Sequence, residues 1–325
     1  IYQAQFDSIV WSGSVVSYPV DVATGSLLPA EWDASIETAK LDWDSEREWL
    51  TWNSETGGGV PFRWGSLDTV QQAFLNTAPG DAFPLPVADG YVGDTFGEDR
   101  LKYLRGYKYY EVTQGNVVGG SPSFRDRLTL KGDSYGLGDV VHSTPTVVGV
   151  PNSGYPDSLE SASYSAFKAQ YADVDCSSAT PDREPILYFG GNDGALHGVS
   201  ACDGAERIAY VPRAVYPRLN MLTSVDYTHQ FYVDGAPTVV DAYFDSDSSW
   251  HTVLVGTLAA GGAGVFALVV SDTSKFDESY DDDVVLWDIV ATPPPLDPYE
   301  PDSDFQELGF TFSQPAVVKA EGHGW

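Results

Sequence analysis

Over 325 residues, a composition that is 42% hydrophobic and 13% aromatic supplies a sizeable core and excludes a disordered chain. Seventeen basic against forty-seven acidic side chains leave a formal charge of −30, a field that repels nucleic acid and anionic lipid and argues against both as partners. No apolar run is long enough to span a bilayer.

At the N-terminus, Ala4, Phe6, Ile9 and Trp11 lead into Val15 and Val16 as short strands. Trp32 follows, and from Arg47 to Trp52 alternation gives one polar and one apolar face, the period of a half-buried strand. Val60 to Trp64 reads as another short strand. Leu67, Val70, Gln71, Phe74 and Leu75 are spaced as a helix face. Asp81 to Asp94 is a loop rich in Pro and Gly, and Phe96 to Tyr103 a second short helix ending near Gly106. Tyr107 to Val118 is weakly β-like. Ser158 to Tyr171 spaces Leu159, Tyr164, Phe167 and Tyr171 as a helix face, with Ser158 in the N-cap position. Val215 to Tyr227 is mixed, one helical turn and a loop.

The stretch from Pro185 to Pro212 organises the chain. Ile186 to Phe189 is an apolar β-former run, Asn192, Asp193 and Gly194 signal a tight turn, and Ala195 to Val199 runs back. Asp203 and Gly204 then turn the chain into Ile208 to Val211. Parts of this pattern recur. Asp234 to Tyr243 echoes Ser143 to Gly149, Thr252 to Gly256 echoes Ile186 to Gly190, Gly264 to Leu268 echoes Gly194 to Val199, and a third start appears at Ser313 to Lys319. Copies therefore begin near Pro145, Pro237 and Pro315, and each exposes a sheet face that a neighbour must cover. The expected fold is all-β: an irregular, modified β-propeller with long inserted loops and a few short helices. Residues 1–325 form a single propeller domain or the N-terminal larger part of one, with insertions near 65–123, 151–184 and 272–310. The chain starts at Ile1 without a leader and stops at Trp325 in what reads as the middle of a unit, so an incomplete propeller is expected.

Each group with chemical potential has a plainer explanation beside it. Asn192, Asp193, Gly194 and His197 resemble an active centre, but no nucleophile or second base sits at a telling spacing, and a turn plus a strand accounts for them. Asp173, Asp175, Ser177 and Glu184 match positions one, three, five and twelve of a calcium loop, although Ser178 replaces the sharp-turn glycine and Pro181 interrupts the ligands. Asp245, Asp247 and Ser249 begin similarly and fail at Trp250 and Gly256. Cys176 and Cys202 are a candidate disulfide worth about 3–4 kcal/mol, the alternative being two separate thiols. The acidic runs Tyr280 to Asp283 and Asp297 to Asp304 read as solvated loops. His142, His197, His229, His251 and His323 show no helix-ligand spacing and fit strand-end hydrogen bonding. Trp11, Trp32, Trp49, Trp52 and Trp64 read as blade-packing residues rather than a sugar platform.

A series of motifs carries a family resemblance: Trp11 with Gly13, Arg47 to Phe62 with Trp64, Leu104 to Gly106, Phe124 to Arg127, and Leu137 to Pro145. The most specific are Tyr188 to His197, containing Gly190, Gly191, Asn192, Asp193, Gly194 and Leu196, and Tyr227 to Gly235, ending in Asp234 and Gly235. Trp250 to Gly264, then Gln314 and Pro315, complete the set. In this order the chain resembles the C-terminal domain of the type IV pilus tip-associated PilY/PilC adhesin and biogenesis factors. That resemblance implies an exported, non-enzymatic protein at the pilus tip or outer cell surface. Minor pilins would be its partners, with an unnamed surface or host ligand. No cofactor is visible in the sequence. The family's calcium loop is expected downstream of Trp325, so calcium control is not assignable to these residues.

Two other functions compete. Propellers of pyrroloquinoline-quinone dehydrogenases carry similar Asp-Gly turns, but they repeat the unit nearly every blade and close it with Trp. Here Ala205, Glu206 and Arg207 occur once with no Trp in place. A purely structural scaffold without a ligand is the third reading.

Overall fold

The structure is a computed structural model, and it describes residues 1–81, 93–116, 120–129, 132–178, 181–291, 307–320 and 325. In chain order the N-terminal part contains β1 (Tyr2–Asp7), β2 (Ser12–Ser17), β3 (Trp32–Asp33), α1 (Ala34–Thr38), β4 (Trp49–Asn53), β5 (Gly58–Pro61), α2 (Thr69–Asn76) and α3 (Gly97–Arg105). Then come β6 (Thr146–Val148), α4 (Tyr164–Gln170), β7 (Ile186–Gly190), β8 (Leu196–Ser200), β9 (Glu206–Val211) and α5 (Tyr216–Leu219). The last part holds β10 (Thr238–Phe244), β11 (Ser249–Thr257), β12 (Gly264–Val269), α6 (Asp281–Val284) and β13 (Val285–Val290).

The repeats near Pro145 and Pro237 each become a four-stranded antiparallel meander, β6 to β9 and β10 to β13. The first is extended at β9, where β4 joins in parallel with Trp49 opposite Ala209 and brings β5 with it. A third sheet, β1-β2-β3, stands at the N-terminus. No closed ring of sheets forms among the described residues, and the architecture is that of an irregular propeller with few short helices.

Strand β7 shows why this sheet is stable. Its side chains alternate faces. Ile186 and Tyr188 enter the main core with Leu196, Tyr210 and Phe266, while Leu187 and Phe189 pack under the N-terminal sheet with Val15 and Trp32. All four are buried, and burying an apolar side chain such as Ile186, Leu187 or Phe189 contributes about 1.5–3 kcal/mol each. The turn into β8 needs Gly194, whose φ of 101° lies in the region that a side chain disfavours.

The helices expected around 67–75 and 96–103 are present as α2 and α3. Asp68 and Gln71 form a reciprocal cap on α2, each side chain accepting from the other's backbone N–H, at 2.8 and 2.9 Å. Other details differ from the sequence reading. Strand β5 ends at Pro61, and Trp64–Ser66 is a 3₁₀ turn. Residues 107–116 hold no strand, only a 3₁₀ turn at Val112–Gln114 and one bridge from Glu111 to Phe124. The cap of α4 is Ser163, not Ser158, because the Ser163 hydroxyl accepts from Ala166 N at 3.1 Å. The third start near Pro315 has no strand within 307–320. The stretch near 272–310 supplies β13, so it is not all inserted loop. Most of the Asp81–Asp94 loop, the acidic run Asp297–Asp304 and His323 lie outside the described residues.

Candidate functional site

Three of the sequence motifs meet at one place, the turn between β7 and β8. Asn192 bridges the other two: its side-chain amide donates to Asp139 Oδ2 at 2.7 Å, and its carbonyl accepts from Tyr232 N at 2.9 Å. Ser143 does the same beside it, donating to the Gly235 carbonyl at 3.0 Å and accepting from Gly190 N at 2.8 Å. Asp234 accepts from His142 N at 3.3 Å and faces His142 Nδ1 at 2.7 Å. Close approach explains Gly190, since a Cβ there would lie 2.1 Å from the Val233 carbonyl oxygen. Trp11 closes the assembly by stacking on His229 at 4.0 Å, while His229 Nε2 meets Asp139 Oδ2 at 2.8 Å.

Behind the turn runs a buried line of alternating charge. Asp193 Oδ1 lies 2.9 Å from His197 Nε2, and His197 Nδ1 lies 2.8 Å from Glu206 Oε1. Arg47 binds the Glu206 carboxylate through two N–H groups at 2.7 and 2.8 Å, and the Trp49 indole N–H donates to it at 3.0 Å. The other Asp193 oxygen accepts from Gly138 N at 2.8 Å, tying the line to the segment after Leu137. His197, Glu206 and Arg47 are all buried. Burial alone would push the imidazole down, but the charge and hydrogen bond of Asp193, then those of Glu206, more than offset it and hold the ring up to about 9. Burial likewise opposes ionisation of Glu206, yet Arg47 and His197 hold its carboxyl well below the usual range. Asp193 is lowered in the same way, its burial outweighed chiefly by His197. The line therefore holds two cations and two anions at neutral pH.

Both nitrogens of His197 face carboxylates and the ring has no exposed surface, so it cannot serve a substrate as a base. The four described histidines share a pattern, each ring facing an Asp: His142 with Asp234, His197 with Asp193, His229 with Asp139 and His251 with Asp247. Leu196 is a core residue.

Cys176 and Cys202 are joined in a disulfide with Cα atoms 5.3 Å apart, fastening the 173–178 loop to the turn after β8. The four calcium-loop candidates do not gather around a common point. Asp173 accepts from Asp175 N and the Ser178 hydroxyl, and Asp175 from Ser177 N and its hydroxyl. Glu184 is engaged by Arg207 at 2.9–3.2 Å. Among the described residues no group of three or more His, Cys, Asp or Glu is placed to hold a metal ion. No described helix is long and apolar enough to cross a membrane.

Arg47, Asp139 and Glu206 carry this assembly but were not singled out from the sequence. The available signal was charge at the start of apolar strands, Arg47 standing two residues before β4 and Glu206 opening β9. Of the tryptophans, Trp32 and Trp49 pack into the core, and Trp52 and Trp64 lie against it.

Known proteins match this chain along its whole length. The model of the PilY1 beta-propeller domain covers residues 137–325. The type IV pilus biogenesis factor PilY1 of Pseudomonas aeruginosa strain UCBPP-PA14 is 34% identical over 100% of this chain and 24% of its own length. A PilY1 homolog of Xylella fastidiosa strain Temecula1 is 32% identical over 100% of this chain and 21% of its own. A crystal structure of the Pseudomonas aeruginosa PilY1 C-terminal domain aligns at 31% identity with a TM-score of 0.34, covering 55% of this chain and 30% of that one. The chain thus spans about a quarter of the length of the curated relatives it matches. With the family model matched over more than half of the chain and a relative aligned from end to end, this chain belongs to the PilY1 β-propeller family.

Proposed function

We propose that this chain is the propeller part of a type IV pilus biogenesis factor and that it works without catalysis. The carrying observation is identity of 34% across the whole chain to relatives bearing that name. The fate of the motif residues supports the reading: Asn192, Asp193, His197 and Asp234 are spent on internal bonds that tie distant segments together. In this reading the propeller is an extracellular module at the pilus tip, docked on minor pilins, presenting its loops to a surface ligand and acting in assembly, retraction control and adhesion.

The test is deletion of the gene in its source organism, with complementation by the full gene or by one lacking the coding region for residues 1–325. Surface pili, twitching and adhesion are then scored. Loss in the deletion, restored only by the full gene, is expected. Intact piliation, twitching and adhesion in the deletion would remove the proposal, and quinone-dependent dye reduction by the purified protein would replace it with an enzyme.

A further inference from the structure

Basic side chains are scarce in this chain, yet three of the seventeen line one cleft of about 240 Å³: Arg47, Lys108 and Arg127. The two arginines are already engaged. Arg47 binds Glu206 and the Arg105 carbonyl. Arg127 binds Glu111 at 2.7 Å and the Tyr107 carbonyl at 2.8 Å, with its guanidinium 4.0 Å above the Tyr103 ring. Lys108 is different. It is half-buried and forms no ion pair among the described residues, and Asp42 on the same rim spends Oδ1 on its own turn through Asp44 N and Ser45. Burial and then Arg127 push its ammonium down, Glu111 partly relieves this, and Arg47 adds to it. Such an ammonium gains from any anion brought to it, because the anion replaces lost hydration and relieves repulsion between cations.

The walls narrow the choice of anion. Trp43 and Tyr107 sit with ring centroids 5.0 Å apart and planes at 45°. Tyr107 is stacked parallel on Tyr109 at 5.9 Å, which holds it in place. Both residues line the cleft and are half-buried, offering apolar faces with polar tips. Gly106 keeps the cleft open: a Cβ there would press on Arg47 Nη1 at 3.2 Å and Trp43 Cβ at 3.3 Å. Pockets for drug-sized ligands measure about 300–1,000 Å³, so this smaller cleft suits one ring. An aspartate or glutamate side chain would satisfy Lys108 while leaving the aromatic walls bare.

We propose that this cleft binds a carboxylate-bearing sugar ring, a uronate or a sialate, with Lys108 pairing the carboxylate and Trp43 and Tyr107 packing on the ring. Binding here is separable from pilus assembly, so either can fail with the other intact.

The experiment titrates the purified chain with methyl β-glucuronide, methyl α-N-acetylneuraminide and neutral methyl β-glucoside, following binding by ligand-observed NMR. Lys108→Ala and Trp43→Ala are run in parallel, with melting curves as the control for folding. At least one acidic glycoside should bind about tenfold more tightly than the neutral one, the strength of one charge-assisted pair. Each variant should lose about tenfold, with the melting temperature of Lys108→Ala unchanged or higher. Equal binding of acidic and neutral glycosides, or no binding of either acidic one, overturns the proposal. Undiminished affinity in Lys108→Ala does so too, as does Lys108-dependent binding of a tetraglutamate peptide when the sugars do not bind.

Discussion

The two meanders share a strand order and are held by different means. In β6 to β9 the interior contains the buried line Asp193, His197, Glu206 and Arg47, whose members come from two distant parts of the chain, residue 47 and residues 193–206. In β10 to β13 the interior is mostly apolar, a buried polar exception being Asp241, which accepts from the Thr252 hydroxyl at 2.8 Å and the Tyr164 hydroxyl at 2.6 Å. Leu254, Phe266 and Leu268 fill the main core, and Val253, Val255 and Ala267 pack on the other face. Polar seams join the two meanders: Asp288 of β13 accepts from the Tyr210 hydroxyl at 2.7 Å and Arg213 N at 3.0 Å, and Arg183, just before β7, donates to the Thr252 hydroxyl oxygen of β11 at 3.1 Å. Buried ion pairs are poor sources of net stability, but they penalise every arrangement that leaves one partner alone. The charged meander is therefore the part whose neighbours are specified, since only the native placement of β4 and the 137–142 segment satisfies Glu206 and Asp193. The apolar meander depends on its own register.

Removing Glu206 should break this comparison most severely. Glu206→Ala strands Arg47 and His197 beside each other without their shared carboxylate, and loss of one partner of a buried ionic group costs about 3–5 kcal/mol. Urea unfolding, or the soluble yield where the variant is too unstable to titrate, measures it. A cost below about 1 kcal/mol would mean that the line of charges does not fix the meander. The matching change in the apolar meander is Gly256→Ala. The Phe266 ring lies 2.1 Å from where that Cβ would sit, so the ring must move, at about 1–3 kcal/mol for an overpacked site. An unchanged unfolding midpoint would show that this core yields where the charged one does not.

The same contrast decides how much could be read from the sequence. The strands of both meanders were legible because Ile186 to Phe189 and Thr252 to Gly256 are apolar runs closed by glycine, a purely local signal. The helices α2 and α3 were legible for the same reason. What local pattern cannot carry is pairing across long separations. Nothing near Trp49 announces that β4 lies parallel to β9, 160 residues away in Thr51 to Val211, where the Thr51 hydroxyl donates to the Val211 carbonyl. His197 was recognisable as a strand residue, and Asp193 is its neighbour in the preceding turn, but its second carboxylate partner, Glu206 of the next strand, follows only from the register of β8 on β9. The cleft at Lys108 was hidden more deeply, because its walls come from the segments around Trp43, Tyr107 and Arg127, in a region whose weak β pattern was not realised.

The mildest probe of the charged meander is pH, and its sign is fixed by the folded-state shifts. His197 is raised from an unfolded value near 6.5 to about 9, so its contribution is fully present below about pH 6.5 and fades as pH rises through 9. Asp193 and Glu206 are lowered, so theirs is present above the ordinary carboxylate range and is lost only as pH falls through their depressed folded values. The melting temperature of the wild-type chain should therefore hold between about pH 5 and 6.5 and decline toward pH 9.5. Other groups also titrate in that range, so the decisive quantity is the difference from His197→Gln, which keeps a polar side chain in place and has no proton to lose. The gap between the two melting curves should be widest at pH 6 and should close as pH approaches 9.5. A gap that stays constant across the range would mean that His197 titrates alike in the folded and unfolded chain. A gap that shrinks as pH falls below about 6.5 would mean that the ring is neutral in the folded protein and that the line carries one cation, not two.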